Sequence, residues 1–149
     1  MTPALYLVVV VCILLGAVLT ESVRVRRRRR MLRGLARQWQ MHFVPGDRLR
    51  LAGRIAEKFP VPGAANVRVR NLLFSTDGKL HRYVFTIEYG VGVVRGKIGR
   101  WRVGGFVEPV SRGPCPTSDC PLHLAPQGLS LQNSYAQVHD ALAQTPTGG

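Results

Sequence analysis

The opening twenty residues carry no charged side chain, and six arginines (Arg24 and Arg26 to Arg30) follow within the next ten positions. That pair of neighbours constrains the chain more than anything after it. From Ala4 to Leu19 the run is apolar without a break. As a helix, Met1–Thr20 would be about 30 Å long, close to one hydrocarbon thickness. A helix is the form such a segment takes in lipid, where every backbone N–H must find its partner inside the segment. Arginines massed at one helix end favour the cytoplasmic side. The expectation is therefore a single-pass protein of the cell inner or cytoplasmic membrane, with its N-terminus outside and the following domain cytoplasmic. A cleaved signal peptide is the rival reading. It is opposed by the lack of Lys or Arg before the run and of a small-x-small site at Ala17-Val18-Leu19-Thr20-Glu21.

Between Glu21 and Gln40 stand eight arginines and one acid, a local balance of +7 within a whole-chain net charge of +13. The run serves first as a topology signal. Arg26, Arg27, Arg28, Arg29 and Arg30 are also candidates for contact with anionic lipid headgroups, at about 1 kcal/mol per basic residue near the surface. Nucleic acid is an alternative partner for the same run, less favoured because no aromatic residues are interleaved with it.

The chain has 149 residues, 46% apolar and 19% charged, which suits one small domain and excludes wholesale disorder. Leu32, Leu35, Ala36 and Trp39 recur at i, i+3, i+4 and i+7, one face of a helix over about Arg27–Gln40. This helix either continues the membrane segment or stands apart from it. Met41–Gly46 breaks the pattern, and Asp47 is placed to N-cap a second helix over about Arg48–Lys58, with Leu49, Ala52, Ile55, Ala56 and Phe59 on one side. Val67–Arg70 alternates, Asp77-Gly78 marks a tight turn, and Leu80–Tyr89 alternates again. Lys97–Val107 is a third candidate strand, with Trp101 and Val103 on one side and Arg100 and Arg102 on the other. Leu131, Tyr135, Val138 and Leu142 trace a short amphipathic helix.

The fold class expected is α+β: an N-terminal transmembrane helix, then a small antiparallel sheet of three to four strands packed by one or two helices. Its divisions are a membrane helix over 1–23, a basic juxtamembrane helix over 24–40, the α+β domain over 41–110, a Pro/Cys-rich linker over 111–128, and a helix with a frayed tail over 129–149.

The pieces LARQWQMHFVPGDRLRLAGRI (35–55), Phe59-Pro60, VRNLLFSTDG (69–78) and YVFTIEY (83–89) carry a family resemblance. Over about Leu35–Val110, half of the chain, the sequence resembles uncharacterised single-pass membrane-anchored proteins of planctomycete-type bacteria. The resemblance implies a small membrane-tethered domain and transfers no active-site residue.

Several chemical motifs nearly form. Gly90–Gly96 resembles a dinucleotide fingerprint with one residue too many, and Gly92–Lys97 falls one short of a phosphate loop, with Ile98 where a hydroxyl should meet magnesium. A glycine-rich hairpin connection explains both, so no cofactor is expected. Cys115, Cys120 and His123 are weak metal candidates, with His139 as a fourth ligand. Free thiols and a redox-labile disulfide are the competing readings of the two cysteines. No catalytic arrangement is visible: His81 reads as a hydrogen-bonded core or rim histidine, and Glu88 as an exposed partner on the face of Arg82.

If the strands pair as read, Arg68, Arg70, Arg82, Arg100 and Arg102 share one outward sheet face. Like charges on one face repel unless they meet anions. That face is either simply solvated or a docking surface for anionic headgroups, an acidic protein partner or nucleic acid. The functional expectation is an interaction or scaffold domain at the cytoplasmic face. A membrane-tethered nucleic-acid-binding module is the alternative, and a membrane-surface enzyme the weaker one.

Overall fold

The computed structural model describes residues 2–92, 98–110 and 120–145. Helix α1 runs unbroken over Pro3–Gln38, 36 residues, or about 54 Å at the usual rise. It joins the two helical segments that the sequence left separable. Pro3 sits at its start, where a missing N–H removes nothing from the helical ladder. Near the end of the apolar stretch, Thr20 Oγ1 donates to the Gly16 and Ala17 carbonyls (2.9 and 2.8 Å) and Ser22 Oγ to the Val18 carbonyl (2.8 Å). These hydroxyls are thereby satisfied within the helix.

Five strands follow in one antiparallel sheet: β1 (His42–Val44), β2 (Ala65–Asp77), β3 (Leu80–Val91), β4 (Ile98–Pro109) and β5 (His123–Leu124), neighbours in that order. Helix α2 covers Leu51–Lys58 between β1 and β2, and α3 covers Leu131–Gln144 after β5. The class is the α+β arrangement read from the pattern, with a long apolar N-terminal helix. The sheet has five strands because β1 and β5, three and two residues long, add themselves to its edges.

The two helical layers lie on opposite faces of this sheet. On one face, Leu32, Leu35 and Ala36 of α1 and Tyr135, Val138 and Leu142 of α3 pack with Leu73, Val84 and Val103. On the other, Leu51 and Ile55 of α2 pack with Val69, Leu72, Phe85, Ile87, Tyr89 and Phe106. The packed unit therefore extends beyond 41–110 at both ends. The i, i+3, i+4 face of α1 is buried as expected, with Trp39 beside it.

Asp47 is not the N-cap of α2, a position that Arg50 takes, but its carboxylate accepts from the Leu51 and Ala52 N–H groups at 2.7 and 2.9 Å and so satisfies the helix start. The helix nevertheless begins at Leu51, three residues later than read, because Arg50 takes a left-handed conformation (φ 53°). Leu49 is consequently exposed. Gly78, also at positive φ (55°), turns β2 into β3. Two asparagines, Asn66 (φ 54°) and Asn71 (φ 51°), lie within the two register shifts of β2. Asparagine tolerates this backbone better than most residues, and the shifts are bulges. The second bulge leaves Leu72 and Leu73 buried on opposite faces.

Candidate functional site

One polar arrangement closes off the α2 face. Glu108 is almost fully buried. Arg54 of α2 reaches it at 2.6 Å, and the Tyr83 hydroxyl donates to it at 3.0 Å. The Arg54 guanidinium also lies 5.4 Å from the Phe106 ring centroid. Burial, followed by the Glu108 carboxylate that it meets, pushes the Tyr83 phenol up to about 12, with Arg54 pulling the other way. Tyr83 therefore keeps its proton at neutral pH and remains a donor. This trio ties α2 to β3 and β4.

On the opposite face Tyr135 is wholly buried. Its hydroxyl donates to the Asn71 carbonyl (2.7 Å) and meets the Thr86 hydroxyl (2.8 Å). A phenol has one proton, so Thr86 is the donor in the second contact. Burial holds the Tyr135 phenol well above its ordinary value. The bulge at Asn71 thus has a use: a carbonyl turned out of the ladder receives the bond from α3.

The arginines expected on one sheet face are divided between two, which corrects that expectation. Arg68 pairs with Glu88 and Arg70 with Thr86, on the side of α1 and α3 where Arg82 also points. Arg100 pairs with Tyr89 and Arg102 with Ile87, on the side of α2. Parity within β4 was read correctly, but its register on β3 puts Trp101 opposite Glu88. A shift of one residue in such a pairing exchanges the faces. Several of these charges are also engaged. Arg70 meets Glu88 at 2.9 Å, Arg82 lies 3.7 Å from Asp77, and Arg102 donates to the Ala125 carbonyl at 2.9 Å. By contrast Arg26, Arg27, Arg28, Arg29 and Arg30 are all exposed along α1.

The metal reading loses a ligand, because Cys120 is disulfide-bonded. His139 stacks flat on Trp39, ring centroids 4.1 Å apart, and His123 lies on β5. Among the described residues no group of three or more metal-binding side chains converges. Cys115 and residues 93–97 of the glycine-rich connection lie outside the described residues. That connection joins two antiparallel strands, not a strand to a helix. His81 is half-buried and shares a 2.8 Å hydrogen bond with Thr76, as a rim histidine should.

A cavity of about 550 Å³ opens where β4 outruns β5. Tyr89, Arg100, Trp101, Arg102, Gln127 and Ser134 contribute to its lining. The Tyr89 hydroxyl and the Arg102 Nε are buried there without hydrogen-bond partners among the described residues. The sequence does not point to this cavity, since most of its far wall, Ala125–Gly128, sits in a stretch that reads only as linker.

The N-terminal helix is long and apolar enough to cross a membrane, with a mean hydropathy of 2.6 and no buried residue over its most apolar window. A signal sequence meets the same test. Comparison with protein-family models, curated proteins and solved structures finds no match for this chain.

Proposed function

We propose that the protein is a membrane-anchored interaction domain, held by α1 directly against the cytoplasmic face of the bilayer. The observation that carries this reading is the continuity of α1. Leu5 to Leu19 leave their large apolar side chains exposed, whereas Leu32, Leu35 and Ala36 of the same helix lie in the domain core. A helix that is apolar and uncovered at one end and packed into a fold at the other behaves as an anchor that is part of the domain. Between the two ends lie Arg24 and Arg26–Arg30, at the depth where lipid headgroups would stand. There they would favour cytoplasmic retention and hold the domain near an anionic surface. No convergent catalytic set among the described residues competes with an interaction or scaffolding role. The nucleic-acid alternative has less support now that the sheet arginines are split between faces.

The disulfide at Cys120 favours a second reading, in which the same domain is tethered on the oxidising side of the membrane. The two topologies separate in one experiment. A reporter fused after Gly149, together with resistance of the protein to alkaline extraction, reads side and anchorage at once. Activity only in the cytoplasmic reporter and retention in the membrane pellet are expected. Activity only outside the cell, or release as a soluble product trimmed near Thr20, would overturn the proposal.

A further inference from the structure

The outer edge of β4 is only half covered. Strand β5 pairs with it at Gly104 and Gly105, and the Ala125 N–H donates to the Val103 carbonyl at 2.8 Å. Beyond that point the chain leaves the edge. In an antiparallel strand alternate residues aim both backbone groups the same way. Val103 faces outward, so Trp101 and Gly99 do as well. Neither has a backbone partner on that side among the described residues. From Gly99 to Val103 this edge spans about 13 Å. It forms one wall of the 550 Å³ cavity, whose lining among the described residues includes Arg100 and Arg102 and no Asp or Glu. Two donors already sit there without acceptors among the described residues, the Tyr89 hydroxyl and the Arg102 Nε, and Tyr89 is only 3% exposed.

We infer that this edge receives an extended acidic peptide, added to the sheet as a strand beside Gly99–Trp101. The inference rests on the reading of the protein as an interaction domain and names the chemistry of its partner. Main-chain pairing to Trp101 and Gly99 supplies affinity, as in other strand-addition interfaces, and alternate side chains supply specificity. An acidic side chain on the α2 side meets the Arg100 and Arg102 guanidinium groups. The residue between two such acids lies on the Trp101 side. An uncovered strand edge is otherwise a liability that proteins blunt or fill. Here the charged side chains of the described cavity lining are Arg100 and Arg102, and Glu88 opposite Trp101 is paired with Arg70, a balance that admits acidic strands and repels basic ones.

The test uses the full chain in phosphatidylcholine nanodiscs, so that binding is read whichever side of the membrane the domain occupies in cells. The probe is a fluorescent peptide of about eight residues alternating glutamate and threonine. Its controls are a lysine–threonine peptide and a glutamate peptide of the same composition in blocked order. The alternating acidic peptide should bind at least about tenfold tighter than either control. Trp101→Pro removes the outward N–H and the indole and fixes φ at this position, a change an edge strand tolerates. It should abolish binding, whereas Trp101→Val should retain it within about threefold. Arg100→Glu should weaken binding by about tenfold or more. Equal binding of the lysine peptide or of the blocked-order peptide overturns the inference. So does identical behaviour of the Pro and Val variants with melting unchanged. A dimer of the full chain that Trp101→Pro dissociates would mean that a second copy covers the edge, and that too would overturn it. None of these outcomes bears on the reporter assay above, so the two proposals fail separately.

Discussion

Replacing Tyr135 by Phe deletes one hydroxyl and strands two groups, the Asn71 carbonyl and the Thr86 hydroxyl. Each is left inside the packed unit without the bond it had. A loss of about 1–3 kcal/mol in unfolding free energy is expected, read from denaturant midpoints at unchanged m-value. Tyr89→Phe makes the contrast, because the hydroxyl removed there has no partner among the described residues to disappoint. Its stability should hold or rise slightly, so a loss comparable to that at Tyr135 would show a bond that the structure lacks. Tyr83 gives a pH signature. Its pKa in the fold, about 12, lies above the ordinary phenol value of 10.0. The unfolded chain therefore releases this proton first. Stability present below pH 10 is lost as the pH climbs through that window toward 12. Tyr135 shifts in the same direction. Tyr83→Phe should accordingly flatten the alkaline fall in melting temperature without removing it; an unchanged slope would contradict the shift.

At the scale of elements, α3 is fastened by close approach to β4. A Cβ built on Gly105 would stand 2.5 Å from the Tyr83 carbonyl oxygen, 2.8 Å from Val138 and 3.0 Å from Leu142. The first of these is backbone and cannot yield. Gly105→Ala should therefore cost at least about 1–3 kcal/mol, and thermal melts should show it. The periodicity of Leu131, Tyr135, Val138 and Leu142 announced α3, just as Leu32, Leu35 and Ala36 announced the buried end of α1. Long periodic segments were legible because burial on one face leaves a pattern in the residues. The strands β1 and β5 were not, since three and two residues cannot display a period. Nor was the facing of β4 legible. Both of its faces are covered in part, Val103 by one helical layer and Phe106 by the other, so hydrophobicity alone did not say which side met which. The same ambiguity hid the Arg54–Glu108–Tyr83 trio, whose members lie 54 and 25 positions apart. It also hid the cavity beside Trp101.

For the molecule as a whole, the central sheet depends on both of its helical flanks. A fragment limited to residues 41–110 would uncover Leu73, Val84 and Val103 on one side. It should lack a cooperative melting transition, whereas a fragment beginning before Leu32 and reaching past Leu142 should show one by calorimetry. The unbroken course of α1 has a further consequence. If α1 anchors the domain as proposed, no hinge separates lipid from sheet, and the domain is mounted like a nut on a lead screw, its height and its azimuth set by one count of residues. One alanine inserted among Arg26–Arg30 would swing the sheet by about 100° around the membrane normal and lift it only about 1.5 Å. Seven alanines would return it nearly to its heading, displaced by about 10 Å. A partner that must meet the domain at a fixed bearing will tell these two insertions apart, and a partner recruited by proximity alone will not.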